Sequence, residues 1–261
     1  MCLILFAYRT HPGYRLILAA NRDEFFARPT EALAFWSDEP GILAGRDLQA
    51  GGTWFGLSGD GRFAAVTNFR DPGNISAEAL SRGRIPVDYL KSGLNPQRFW
   101  TAKRGEWSRY NGFNLLAGDR QSLVWASNRT GQEQKLGPGL YGLSNHLLDT
   151  DWPKVQRGKE KLRQLLAASG PVEAEDLFTL LEDSWQPPDS ELPDTGIGPV
   201  WERLLAPLFI SGEDYGTRSS LVLTITEDGR ALCSERTFVH EPGMVRETGR
   251  KTFELDVHQK K

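Results

Sequence analysis

The chain has 261 residues, of which 39% are hydrophobic and 25% charged, and its formal net charge is −3. That composition excludes a disordered chain, and the charge balance excludes a nucleic-acid binder built on bulk positive charge. There are two cysteines, one of them residue 2, which is too few for a disulfide framework or a four-cysteine zinc site.

Residues 2–9 (CLILFAYR) read as a strand, His11-Pro12-Gly13 as a turn and 14–20 (YRLILAA) as a second strand, so Cys2 heads an N-terminal hairpin. Both runs are nearly continuously apolar, the pattern of strands covered on both faces, and both are too short to span a bilayer. No secretory-signal pattern opens the sequence, which predicts a cytoplasmic or other reducing location. Strands follow at 42–47, 53–58 and 62–69, the last two joined through Gly59-Asp60-Gly61. Short helical patterns occupy 83–92 and 96–104. The segments 112–118 and 121–127 pair across Asp119-Arg120, and 139–144 is a short apolar strand. The clearest helix is 152–168, with Trp152-Pro153 at its start and Val155, Leu162, Leu165 and Leu166 on one face. A second helix, 173–183, comes next. The proline-rich stretch 186–199 reads as a loop, a candidate flap over a site, and 200–206 as a short helix. Finally, strands 219–227 and 230–238 flank the hairpin signal Asp228-Gly229. Strands at both ends, helices clustered in the middle and no βαβ alternation predict one α+β domain, 1–261, with antiparallel sheets.

The sequence carries no nucleotide-binding glycine loop, no C-x-x-C, no H-E-x-x-H and no G-x-S-x-G. His11, His146, His240 and His258 lie far apart, so no metal site is expected. The chemistry-bearing feature is Cys2. Removal of Met1 would make it the first residue and join a thiol nucleophile to a nearby α-amine, which acts as a base near neutrality. The alternative is a small buried hydrophobe at the head of a strand. Asn21-Arg22-Asp23-Glu24 ends the second strand abruptly. In an antiparallel hairpin this segment returns beside Cys2, where Asp23 could hold the amine and Arg22 could depress the thiol pKa. The alternative there is a solvated turn with a local ion pair.

Five blocks together are recognisable: Met1-Cys2, LILAANRDEFFARP at 16–29, Gly51-Gly52-Thr53-Trp54, YGLSN at 141–145 and YGTR at 215–218. They resemble the NRDE family, the family of Transport and Golgi organisation protein 2, and they extend over most of the chain. The resemblance implies a branch of the N-terminal-nucleophile hydrolase fold, a four-layer αββα sandwich of two antiparallel sheets, similar to choloylglycine hydrolases and penicillin V acylases. It further implies Cys2 as nucleophile, Asp23 as the aspartate beside it, Asn68 and Asn145 at the oxyanion and amine sites, and Arg218 as the late arginine. An asparagine N–H suits an oxyanion, where loss of one donor costs about 3–4 kcal/mol. Asn21, Arg22 and Trp54 are the expected substrate contacts. One departure stands out: the acylase pattern places an arginine three positions before the aspartate, where this chain has Ala20.

Each of the other motif residues also has a structural reading. Trp54 suits the core, Asn68 and Asn145 suit left-handed turn positions, and Arg218 suits a structural ion pair. Cys233 alternates with Ala231 and Glu235 on its strand and reads as packed inside. Two functions follow. One is a Cys2 amidohydrolase that cleaves a C–N bond of a small acylated molecule and requires no cofactor. The other, implied by the family alone through its links to haem mobilisation and acyl-lipid or acyl-CoA metabolism, is a carrier of haem or an acyl chain. Neither involves nucleic acid or a membrane span.

Overall fold

The computed structural model describes residues 2–168 and 170–257. The expectation about Met1, and His258, lie outside these residues. In chain order the strands are β1 (Cys2–His11), β2 (Tyr14–Phe25), β3 (Thr30–Phe35), β4 (Ile42–Asp47), β5 (Phe55–Ser58), β6 (Phe63–Asn68), β7 (Phe113–Gly118), β8 (Leu123–Ser127), β9 (Glu133–Lys135), β10 (Gly139–Leu143), β11 (Tyr215–Thr226), β12 (Arg230–Glu241) and β13 (Met244–Asp256). The helices are α1 (Arg84–Ser92), α2 (Pro96–Ala102), α3 (Pro153–Leu166), α4 (Ala174–Leu181) and α5 (Pro199–Leu204).

The strands form two antiparallel sheets, one in the order β10-β1-β2-β11-β12-β13 and the other β3-β4-β5-β6-β7-β8-β9. Side-chain alternation explains why the apolar runs of β1 and β2 are continuous. Ile4, Phe6, Leu16 and Leu18 point into the core between the sheets, while Leu3, Leu5, Ile17 and Ala19 point outward under the helices. The outward set packs with Val155 and Leu162 of α3 and Leu177, Phe178 and Leu181 of α4. On the far side, Tyr89 of α1 and Phe99 and Trp100 of α2 cover Ala64, Leu115 and Ala117 of the second sheet. The layers therefore run α–β–β–α, as expected. Each large side chain so buried contributes about 1.5–3 kcal/mol of transfer free energy.

Three of the described strands have no counterpart in the sequence expectation. β3 buries only Leu33 fully, and β13 presents a mostly exposed, charge-rich run, so neither shows the clean alternation that marks a half-buried strand. β9 is three residues long. The strand expected at 53–58 begins at Phe55, because the Thr53 hydroxyl donates to the Phe55 carbonyl (2.7 Å) and bends the chain locally. Among the described residues, no helix is long and apolar enough to cross a membrane.

The sheet order brings Cys2 to a special place. β1 and β2 are interior strands, and the register sets Cys2 opposite Arg22. On the other side of β2, Arg22 faces Ser219 and Asp23 faces Thr217 of β11, so Arg218 is the extra residue of a β-bulge.

Candidate functional site

A cavity of about 540 Å³ opens at this end of the sandwich. Cys2, Arg22, Asp23, Trp54, Asn68 and Arg218 all line it. Cys2 is 7% exposed. Burial, its largest influence, pushes the thiol pKa up. The Asp23 charge adds to that, while the Arg22 charge and a hydrogen bond from the Asp23 backbone N–H work in favour of the thiolate.

The NRDE tetrapeptide divides its labour by face. The Asn21 side chain is fully buried away from the cavity. Its amide N–H groups donate to the carbonyls of Leu181 (3.0 Å) and Leu208 (2.9 Å), and its carbonyl accepts from the Ser220 hydroxyl (2.6 Å). It fastens the end of α4 and the 205–210 segment to β2, and it is not among the cavity-lining residues. Arg22 lines the cavity with its guanidinium 3.8 Å from Glu24. Asp23 accepts a 2.7 Å hydrogen bond from the Thr217 hydroxyl, and its backbone carbonyl accepts one from the Tyr215 hydroxyl (2.9 Å). Burial pushes the Asp23 carboxyl up, while the Lys154 ammonium, the Thr217 hydroxyl and Arg22 pull it back down. Lys154, buried on α3, donates to the Leu205 carbonyl (2.9 Å); burial lowers its pKa to about 8, against the pull of Asp23.

The remaining motifs hold this arrangement together. In YGLSN, the Ser144 hydroxyl donates to the Cys2 carbonyl (3.3 Å) and the Asn145 amide donates to the Asn68 carbonyl (3.0 Å). Thr67 and Arg70 reach back to the carbonyls of Ser144 (2.7 Å) and Asn145 (2.7 Å). The motif therefore ties β10 of one sheet to the end of β6 in the other. Asn145 is fully buried and does not line the cavity, whereas Asn68 does. Arg218, turned by the bulge, donates through Nη1 to the carbonyls of Phe25 (3.0 Å), Phe26 (3.1 Å) and Arg28 (3.0 Å). It fixes the turn after β2 and presents its charge at the cavity. The expected flap 186–199 is tethered elsewhere: Thr195 bonds Glu202, which forms a buried 2.6 Å ion pair with Arg70, and none of the stretch lines the cavity.

The glycines of Gly51-Gly52-Thr53-Trp54 have a geometric cause. Gly51 has φ +73°, and a Cβ on Gly52 would sit 2.4 Å from the Gly83 carbonyl. The Thr53 N–H donates to that carbonyl (2.9 Å). The contact presses the 81–83 turn against the cavity and seats Arg82 in its wall. Sequence reasoning passed over Arg82, because its placement depends on a close approach between distant segments. It also passed over Glu235, which is buried in the same wall, accepts from the Leu33 N–H (2.6 Å) and has its carboxyl pKa pushed up by burial. A charged residue in phase with Ala231 and Cys233 was the signal for it. Among the described residues, no cluster of three or more histidine, cysteine, aspartate or glutamate side chains could hold a metal ion.

The profile of the Transport and Golgi organisation 2 family matches residues 1–240. A Transport and Golgi organization protein 2 homolog from Bos taurus is 35% identical, over 98% of this chain and 99% of its own. A homolog from Mus musculus is 32% identical over the same shares. A conjugated bile acid hydrolase from Clostridium perfringens is a structural neighbour at TM-score 0.49 and 10% identity, with 99% of this chain and 98% of that one aligned. By its profile match and its full-length relatives, the chain belongs to the Transport and Golgi organisation 2 family.

Proposed function

We propose that the chain is a cysteine amidohydrolase whose Cys2 thiol cleaves the C–N bond of a small acylated molecule. The observation that carries this reading is the position of Cys2: it stands opposite Arg22 at the head of an interior strand and opens into the inter-sheet cavity, which it shares with Arg22, Asp23, Asn68 and Arg218. With Met1 removed, the Cys2 α-amine takes the thiol proton as sulfur attacks the amide carbonyl. Asn68 donates to the oxygen that becomes negative. The tetrahedral intermediate collapses, the C–N bond breaks, and the proton passes to the leaving amine. Water then attacks the thioester, releasing the acid and restoring the thiol. Asp23 holds the amine in place, and Lys154 and Thr217 hold Asp23.

The test is turnover of a panel of N-acyl amides by the Met1-processed protein and by Cys2→Ala. Release of free amine by the wild type and its loss, by at least about 1000-fold, in Cys2→Ala supports hydrolysis. Retained activity in Cys2→Ala overturns it. Saturable haem binding, read at the Soret band, with no amide turned over would replace hydrolysis by carriage.

A further inference from the structure

The charges in the cavity wall do not all have partners. Arg28 is bonded to Asp47 at 2.6 Å, Arg46 to Asp38 at 2.7 Å, and Arg22 lies 3.8 Å from Glu24. On the acidic side, Asp47 is taken by Arg28, Asp23 accepts from Thr217, Glu24 from the Phe25 N–H, and Glu235 from the Leu33 N–H. Glu31 sits at the exposed edge. Arg82 differs from these arginines. Its Nη1 donates to the Gly112 carbonyl at 3.1 Å, and among the described residues no carboxylate is in ion-pair contact with it. Arg218 is bonded only to carbonyls, again with no carboxylate in contact. Among the described residues, two guanidinium groups thus border the Cys2 cavity with no carboxylate in ion-pair contact.

An arginine drawn out of water without an opposing charge is costly, and a carboxylate or phosphate that forks across its N–H groups relieves that cost. Burial is the main influence on the Arg82 guanidinium and works against its charge; Glu24 and Cys2 favour the charge from a distance. The turn that carries Arg82 is held by the Gly52–Gly83 contact, so the group is presented from a fixed backbone. Resting on the hydrolase reading, and deepening it, we propose that the substrate is an anionic amide whose oxyanion group, a carboxylate or a phosphate, is read by Arg82 beside the Cys2 thiol. Arg82 then determines specificity, because a neutral amide would leave its charge unpaired.

The test does not depend on turnover. Native protein is alkylated with iodoacetate or with iodoacetamide, and the rate at Cys2 is read by peptide mass. The ratio of the two rates removes any change in the thiol pKa. At low salt the ratio at Cys2 is expected to exceed that of a free cysteine peptide by about 10-fold, from attraction of the anion. Arg82→Gln should remove most of the excess, leaving the smaller part due to Arg218, and Arg82→Lys should keep most of it. A peptide-like ratio in the wild type overturns the proposal without any variant having to fold. An excess left undiminished in folded Arg82→Gln also overturns it. N-Acetylglycine, the phosphate ester of N-acetylethanolamine and neutral N-acetylethanolamine are then compared as protectants of Cys2 against iodoacetamide. Stronger protection by the first assigns a carboxylate and by the second a phosphate; equal protection by all three overturns the proposal. A high ratio in a protein that hydrolyses no amide would retire the hydrolase reading alone.

Discussion

The two cysteines of this chain are both free and both buried, yet they differ in access and in the groups that favour the thiolate. Cys233 sits on β12 in the core between the sheets, fully enclosed among apolar side chains, with burial and then Glu235 driving its pKa far up. Cys2 also has its pKa raised by burial, but it opens on a 540 Å³ cavity and has Arg22 and a backbone N–H on the side of its anion. Burial alone keeps a thiol protonated and inert; a cation, a donor and open space beside it favour the thiolate and its access. The difference arises from position along the strands. Cys233 lies in mid-strand, and Cys2 lies where β1, β2 and β11 run out at the end of the sheet.

The comparison can be broken first at its inert member. Cys233→Ala removes a buried sulfur and leaves a small void, so urea unfolding should show a loss of about 1–2 kcal/mol. Amide turnover should be unchanged; a fall in turnover at full folding would mean that Cys233 is not merely packing. A smaller effect sharpens the reactive member. The thiolate is the species alkylated, and burial holds the Cys2 pKa above the ordinary thiol value, so its iodoacetamide rate should still be rising with pH where an exposed thiol has levelled off. Arg22 favours the thiolate. Arg22→Gln should therefore move the midpoint further up, by about half a pH unit or 0.7 kcal/mol, and slow alkylation at pH 8. A downward move would contradict the assigned role of Arg22.

Much of this was legible in the sequence, for a physical reason in each case. Continuous apolar runs marked β1 and β2, and Asp228-Gly229 marked the β11–β12 hairpin. The polar tetrapeptide that ends β2 had to return beside Cys2 once the hairpin paired. What escaped was of two kinds. β3 and β13 bury too little to show a period. The roles of Asn21, Asn145 and Arg82 depend on contacts across 160, 77 and 30 residues, with Leu181, Asn68 and Gly112 respectively. A motif of neighbours in sequence hid a division of labour in space: Asn21 fastens a helix, Asp23 bonds Thr217 of the neighbouring strand and Arg22 faces the cavity. At the departure from the acylase pattern, Ala20 packs in the core, and Arg22, opposite Cys2, lines the cavity.

The central claim is that Cys2 carries the acyl group between the two halves of an amide hydrolysis. The most direct measurement is an acid quench of the Met1-processed protein during turnover of an anionic N-acyl amide, followed by peptide mass mapping. The account predicts an acyl-mass adduct on the Cys2 peptide, released by hydroxylamine as a thioester is, with the Cys233 peptide unmodified. Turnover that continues with no adduct on Cys2 under any quench, and persists in Cys2→Ala, would contradict it.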